Sequence, residues 1–270
     1  MRDLAGLEAH LDHMGRVLLG FSGGVDSSLL AVIGTRSLGP SRFLALIGES
    51  ASYPAAQWHA AHSLAERFGI PVRVVATGEL DNPSYRANRP DRCYHCKREL
   101  WNRASGIARE EGFDAVVDGT NADDLGEHRP GLRAAAERDV RSPLAELGWS
   151  KADVRDAARF LGLPTWDAPA SPCLSSRIRY GLEVTPVRLV QVEEAEALLR
   201  RLGVKGDLRV RHLGDHASVE VRPDEFALVD SCWAAIETEL LALGFDAVER
   251  DVRGYRRGGL LSLAVAEPRA

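Results

Sequence analysis

Short apolar, β-branched runs alternate with longer helix-like stretches through the first part of the chain. The apolar runs predict strands at residues 16–21, 43–48, 72–77 and 115–119. Between them, apolar residues recur at intervals of three and four, which predicts helices over residues 25–38, 54–68 and 97–111. Repeated strand–helix units build a parallel sheet with helices on both faces, and such sheets bind ligands at the carboxyl ends of their strands.

The pattern changes after Pro164. A capping-box sequence, Ser150-Lys151-Ala152-Asp153, opens a predicted helix that Gly162 and Pro164 end. Residues 166–181 show no periodicity and predict a loop or linker. Beyond it the pattern predicts a helix over 186–202, a hairpin over 208–221, a helix over 223–243 and a strand over 247–252. We therefore predict a Rossmann-like α/β domain (1–165), the loop with Cys173 (166–181) and a smaller α+β domain (182–270).

Composition restricts the class of protein. The 270 residues carry a net charge of −5 and a pI near 5.9, so the chain lacks the basic surface that bulk nucleic-acid binding requires. Four cysteines are too few for a disulfide framework. The first residues have charges and helical spacing rather than a signal-peptide core, and no apolar run has membrane-spanning length. We therefore predict a cytoplasmic protein with neither a membrane nor a nucleic-acid partner.

A glycine- and serine-rich motif lies where the first predicted strand gives way to a helix. It reads Ser22-Gly23-Gly24-Val25-Asp26-Ser27-Ser28. Paired glycines let the backbone approach an anion, and the helix start offers free N–H groups and the positive end of its dipole. The motif lacks the Gly-Lys-Ser/Thr ending of a Walker A loop, which argues against a kinase or GTPase. The alternative is an ordinary Gly-Gly turn before a helix capped by Asp26 or Ser27.

Other polar residues follow the second and fourth predicted strands. Ser50 ends the second strand, and Gly119 and Thr120 end the fourth, so the sequence predicts that they converge with the glycine motif on one crevice. The acidic pair Asp123 and Asp124 would hold Mg²⁺ against nucleotide phosphates, or would simply cap the following helix.

Three cysteines lie in candidate loops. Cys93-Tyr94-His95-Cys96 precedes the helix predicted to begin near Lys97, and two thiols at this spacing bind one metal or cluster, or form a redox pair. Zinc would need further ligands such as His95 or Cys173, whereas a cluster bound by three cysteines with one open iron needs fewer assumptions. Unligated cysteines remain the alternative.

Cys173 lies in a polar loop beside Arg177, whose charge favours the thiolate that attacks acyl groups or binds metal. Cys232 lies in an apolar helical segment and is expected to pack in the core.

Two arginines alternate along one face of the predicted hairpin. Arg209 and Arg211 share this face, and Glu220 lies on the return strand. Two guanidinium groups on one face suit a phosphate or carboxylate. A solvated strand face with cross-strand ion pairs is the alternative. Glu196, with Glu193 and Glu194, is typical of a charged helix face.

Together these motifs resemble the LarE family of sulfur-insertion enzymes, a branch of the pyrophosphate-loop (PP-loop) ATP pyrophosphatases with an adenine nucleotide α-hydrolase-like fold. The segments that carry the resemblance are 22–28, 93–96, 119–124, 129–131 and 173–177. The resemblance implies ATP-dependent conversion of the carboxylates of a pyridinium-3,5-biscarboxylic acid mononucleotide into thiocarboxylates. This conversion is a step in the synthesis of the nickel-pincer nucleotide, the cofactor of lactate racemase.

The resemblance also implies roles for individual residues, with Asp26 and Cys173 as catalytic residues. ATP would bind to Ser22, Gly23, Gly24, Asp26, Ser27, Ser28, Ser50, Gly119 and Thr120. The substrate would bind to Ser176, Arg177, Arg209, Arg211 and Glu220. Mg²⁺ would bind to Asp123 and Glu196, and a [4Fe-4S] cluster to Cys93, Cys96 and Cys173. A closed homo-oligomer, a trimer or hexamer, and a separate sulfide source are implied as well.

Family members with only the cysteine that matches Cys173 donate its sulfur and are consumed, whereas members with three cysteines use a cluster-bound sulfide. The competing interpretations are another PP-loop amidotransferase or ligase, a tRNA-thiolating enzyme, and a module that binds adenine nucleotides without chemistry.

Overall fold

The computed structural model describes residues 3–126, 130–169 and 172–256. The chain divides into two compact units. The first comprises Met1–Glu79 and Cys93–Ser171, and the second comprises Leu80–Arg92 and Pro172–Ala270. The segment 80–92 therefore belongs to the second unit although the residues on either side of it in the chain belong to the first.

The strands are β1 Val17–Gly20, β2 Phe43–Glu49, β3 Val72–Ala76, β4 Ala115–Val117, β5 Leu208–His212, β6 His216–Val221 and β7 Ala247–Arg250. The helices are α1 Leu4–Asp12, α2 Val25–Leu38, α3 Ala55–Phe68, α4 Pro83–Arg86, α5 Arg92–Glu111, α6 Pro130–Ala136, α7 Pro143–Glu146, α8 Lys151–Phe160, α9 Pro186–Arg201, α10 Phe226–Ser231 and α11 Trp233–Ala242. Short 3₁₀ turns lie at Glu79–Asp81, Ala122–Gly126, Leu174–Arg177 and Pro223–Glu225. Within the described residues, no helix has both the length and the apolar character needed to cross a membrane.

The first unit contains a parallel sheet with the strand order β3-β2-β1-β4. Successive residues of β1 face opposite sides, so Val17 and Leu19 pack with α2 and α8, whereas Leu18 packs with Trp101 of α5. Gly20 is required where β1 meets α5, because an added Cβ would lie 2.5 Å from the Trp101 ring. The predicted Rossmann-like sheet with helices on both faces is confirmed.

The second unit contains a small mixed sheet with the order β5-β6-β7. The predicted hairpin is confirmed, because β5 and β6 pair antiparallel, and β7 pairs parallel with β6. The single helix predicted over 223–243 is wrong, since the chain breaks at Cys232 between α10 and α11. Cys232 packs, half-buried, against the apolar core of this unit.

Candidate functional site

The glycine motif forms the turn between β1 and α2. Gly23 has a φ of +71°, and an added Cβ would lie 2.8 Å from the Ala61 Cβ, so only glycine fits here. Gly24 precedes α2 without a side-chain cap, which leaves N–H groups at the helix start for an anion. The Ser28 hydroxyl is buried and has no hydrogen-bond partner in the described part of the chain. These features fit a bound phosphate chain.

The Asp26 carboxylate is held from two sides. Its Oδ1 accepts a hydrogen bond of 3.1 Å from Asn121 Nδ2, and its Oδ2 pairs with Lys151 Nζ. Gly119 allows β4 to end close to this helix, because an added Cβ would lie 2.9 Å from the Ser27 amide nitrogen. The structure thus brings Asp26, Ser27 and Gly119 together at the carboxyl ends of β1 and β4.

Sequence reasoning missed Lys151. The pattern assigns this residue only to a helix start, and the capping box of Ser150 and Asp153 does form there. Lys151 is, however, one of only three lysines among 34 basic residues. Because arginine supplies nearly all the other basic residues, the choice of a compact ammonium group at position 151 could have indicated a special role for this residue.

The carboxylates of the acidic residues after β4 accept hydrogen bonds from other groups of the protein. Asp118 accepts hydrogen bonds from the Thr120 amide at 2.9 Å and the Thr120 hydroxyl at 2.8 Å. Asp123 Oδ2 accepts from the Lys151 amide at 2.8 Å and so caps the start of α8. Asp124 Oδ2 accepts from the Asn121 amide at 3.1 Å. Asp123 therefore caps α8 rather than the helix that follows it in the chain, and a magnesium ion at Asp123 stays a prediction.

A cavity of about 320 Å³ lies at the carboxyl end of β2. Its lining residues are Glu49, Ser50, Tyr53, Ala55, Trp58 and His59. It adjoins the glycine motif, because the Tyr53 hydroxyl donates to the Ser22 carbonyl at 3.1 Å. Burial raises the pKa of Tyr53 to about 12, so the hydroxyl stays a donor at neutral pH. Ser50, predicted to bind ATP, therefore borders a space next to the phosphate loop.

Cys93 and Cys96 lie on the first turns of α5, which begins at Arg92 rather than near Lys97 as predicted. Tertiary contacts stabilise these extra turns: the Tyr94 ring packs against Arg133, 3.9 Å from the guanidinium carbon, and its hydroxyl donates to Glu137 at 2.8 Å. Residues three apart on a helix share a face. Cys93 is exposed and Cys96 is partly buried, and both are thiols rather than halves of a disulfide.

Cys173, a partly buried thiol, belongs to the second unit, where it precedes the turn Leu174–Arg177. In the ranges that the structure describes, no group of three or more His, Cys, Asp or Glu side chains is arranged to hold a metal ion. Arg129 of the segment 129–131, and Ala170 and Ser171 before Cys173, lie outside the described residues.

Buried ion pairs surround the residues after Cys173. Arg177 donates to both carboxylate oxygens of Glu196, at 2.9 and 3.0 Å. Arg211 donates twice to Glu220 Oε2, at 3.0 and 2.9 Å. Arg209 lies opposite Glu220 on the hairpin. Burial and the neighbouring Arg177 charge lower the pKa of Arg209.

These side chains form a buried cationic cluster rather than a solvated face. Arg209 and Arg211 are 7% and 6% exposed, so the alternative of a solvated strand face is wrong. Arg177 pairs with Glu196, Arg211 pairs with Glu220, and the Arg209 guanidinium adds a third positive charge to the cluster, a composition that suits an anion such as a phosphate. Both oxygens of Glu196 accept hydrogen bonds from Arg177, and a magnesium ion at Glu196 stays a prediction.

The chain is similar to several known proteins. A family model described as NAD synthase matches residues 6–99. The chain is 40% identical to an uncharacterized protein of Synechocystis, over 95% of this chain and 96% of the relative. It is 35% identical to the pyridinium-3,5-bisthiocarboxylic acid mononucleotide synthase of Lactiplantibacillus plantarum, over 94% and 92% of the two chains. A glutamine-hydrolysing GMP synthase chain of Methanopyrus kandleri is 27% identical over 68% of this chain and 62% of its own.

Proposed function

This chain belongs to the LarE family of PP-loop enzymes, and on that premise we propose that it thiolates the carboxylates of pyridinium-3,5-biscarboxylic acid mononucleotide. It is an ATP-dependent sulfur-transferring enzyme. The observation that carries the choice of substrate is the cationic cluster of Arg177, Arg209 and Arg211 beside the Cys173 loop. It offers a thiol next to a site for an anionic mononucleotide.

The first half-reaction activates a carboxylate. A substrate carboxylate oxygen attacks the α-phosphorus of ATP, the bond to the β-phosphate breaks, and pyrophosphate leaves. The N–H groups of the glycine motif and Lys151 would stabilise the charge on the phosphates. The cavity at the end of β2 would accept the nucleoside part of ATP. Mg²⁺ at Asp123 would neutralise phosphate charge.

The second half-reaction transfers sulfur. A sulfur nucleophile attacks the acyl carbon of the adenylate, AMP leaves with the electron pair of the broken C–O bond, and a thiocarboxylate remains. The substrate phosphate would bind to Arg209 and Arg211, with Ser176, Arg177 and Glu220 around it. Repeating both steps on the second carboxylate gives the bisthiocarboxylate.

Three cysteine thiols match the donor set of a [4Fe-4S] cluster with one open iron, and we assign Cys93, Cys96 and Cys173 as its ligands. When bound, such a cluster would supply the transferred sulfide, so the side chain of Cys173 would not be consumed. An external sulfide source would then replace the sulfide that the cluster has transferred. A cytoplasmic location and a closed homo-oligomer, a trimer or hexamer, are part of the same proposal.

The test uses anaerobically purified full-length protein. Iron and acid-labile sulfide are measured, and the protein is then incubated with ATP, Mg²⁺, the biscarboxylate mononucleotide and sulfide. We expect about four irons per chain, pyrophosphate release, and more than one thiocarboxylate per chain. One thiocarboxylate per chain with loss of a sulfur atom from Cys173 would instead indicate the sacrificial route, and zinc in place of iron would exclude the cluster.

The competing functions have their own signatures in this assay. Thiolated tRNA without turnover of the pyridinium nucleotide would indicate a tRNA-modifying enzyme. ATP binding without release of pyrophosphate from ATP, whichever carboxylate is supplied, would indicate a binding module. Either result would contradict the proposed function.

A further inference from the structure

Three buried arginines hold the backbone carbonyls of the loop that carries Cys173. Arg177 Nη1 donates to the carbonyls of Pro172 and, at 3.0 Å, Cys173. Arg92 Nη1 donates to the Ser175 carbonyl at 2.8 Å, and Arg211 Nη1 donates to the Ser176 carbonyl at 3.1 Å. Arg177, Arg92 and Arg211 are 2%, 3% and 6% exposed, so water competes little for these bonds.

Arg92 differs from the other two arginines in its position in the chain. Arg177 and Arg211 form ion pairs within the predicted substrate site. Arg92 instead ends the segment 80–92, and its Nη1 also donates to the Asn88 side-chain oxygen. It directly precedes Cys93 in the chain. The contact from Arg92 to Ser175 therefore ties the Cys173 loop to a part of the sequence far from it.

Asn88 holds both Arg92 and the backbone that follows the Cys173 loop. It is fully buried and has a φ of +50°, a conformation that asparagine tolerates better than most residues. Its Nδ2 donates to the carbonyls of Ile178 at 3.1 Å and Arg179 at 2.9 Å, beyond the other end of the turn. One buried side chain thus orients the Arg92 guanidinium and fixes the backbone that follows Arg177.

Tyr85 adds a second contact from the same segment. Its hydroxyl lies 2.6 Å from the Ser175 Oγ, and both residues are almost completely buried. Ser175 is therefore held by its side chain and by its carbonyl, from two residues of 80–92.

We propose that Arg92 is a positioning residue for Cys173. Through the Ser175 carbonyl it holds the thiol-bearing loop in the conformation that delivers sulfur. The guanidinium presents its donors in a fixed plane, which a lysine cannot reproduce. The use of Cys173 in sulfur transfer rests on the function proposed above, but the position of its loop is measurable without any reaction.

The test compares Arg92→Lys and Arg92→Gln with the control Arg86→Lys. Arg86 lies in the same segment but donates to the Leu80 carbonyl and Glu183, outside the Cys173 loop. Reduced, metal-free protein is treated with a maleimide, and peptide mass spectrometry follows the alkylation of each cysteine. Cys232 of the same unit is the internal reference, so a general loss of stability raises both rates alike.

We expect both Arg92 variants to raise the ratio of Cys173 to Cys232 alkylation about tenfold, because the loop opens more often without its Ser175 contact. Arg86→Lys leaves the ratio within about twofold of the wild type. In the sulfur-transfer assay, Arg92→Lys lowers thiocarboxylate formation about 100-fold, the cost of a displacement of about 1 Å, and retains pyrophosphate release.

An unchanged alkylation ratio in Arg92→Lys overturns the proposal, whatever the activity. If Arg92→Gln does not fold, Tyr85→Phe provides the comparison, because it removes the hydroxyl that bonds to the Ser175 side chain. A rise in Tyr85→Phe without a rise in Arg92→Lys would assign the positioning to Tyr85 and overturn the role of Arg92. A wild type that never forms thiocarboxylate contradicts the proposed function, while the alkylation ratio still decides the role of Arg92.

Discussion

Replacing Lys151 by glutamine tests whether the charge beside Asp26 acts in catalysis rather than in folding. Lys151 Nζ pairs with Asp26 Oδ2. The Lys151 amide bonds to Asp123, and the capping box of Ser150 and Asp153 starts the helix. A glutamine keeps the backbone contacts. The substitution therefore removes one positive charge and leaves the start of α8 in place.

A role of Lys151 in folding and a role in catalysis predict free-energy changes of different size. The side chains of Lys151 and Asp26 are 40% and 19% exposed, so we expect their pair to contribute less than about 1 kcal/mol to the free energy of unfolding. A charge that stabilises the phosphates in the transition state contributes about 3–4 kcal/mol to lowering the barrier. The rate of pyrophosphate release should then fall by about 10²–10³-fold.

The assay measures pyrophosphate release with ATP and the biscarboxylate mononucleotide, and urea unfolding of the same preparation. Lys205→Gln is the control, because Lys205 is an exposed lysine of the second unit. We expect wild-type values for this control in both measurements. An unchanged kcat/KM in Lys151→Gln, or a loss of activity fully explained by unfolded protein, would refute the reasoning.

Further predictions address the nucleophile, the glycine motif and the second unit. Cys173→Ala should retain pyrophosphate release and lose thiocarboxylate formation, as followed by mass spectrometry; retained thiolation would remove Cys173 from the mechanism. Gly23→Ala forces a side chain to a φ of +71° against Ala61. We expect the free energy of unfolding, measured with urea, to fall by about 1–2 kcal/mol. We also expect calorimetry to show a loss of ATP binding. Burial, with the charge of Arg188, lowers the pKa of His212 to about 4. Because the unfolded state binds the proton first, stability present above pH 6.5 should be lost as the pH falls to 4, by up to about 3 kcal/mol. His212→Gln should flatten that pH dependence, and an unchanged slope would contradict the assignment.

The features that sequence reasoning predicted are those set by local pattern. Apolar runs specify the buried parallel strands, and Gly23 and Gly24 mark the turn that follows β1. The alternation of Arg209 and Arg211 places both on one strand face. Each of these follows from a few neighbouring residues and the geometry of one element.

The features that it missed depend on contacts between distant residues. Lys151 reaches Asp26 across 125 positions of the chain, and Arg92 reaches Ser175 across 83. The start of α5 at Arg92 depends on Arg133 and Glu137, which lie far beyond the first turn. Propensity and periodicity carry no information on such pairs, so tertiary packing decides them.

The assignment of residues 80–92 to the second unit has a consequence for how the protein is made. Synthesis runs from the N-terminus, so Tyr85 and Arg92 leave the ribosome long before Ser175, with which they are buried in the finished protein. A chain cut once between the units leaves these residues without that partner. Tyr85 and Arg92 therefore reach these native contacts only after the Cys173 loop has been translated.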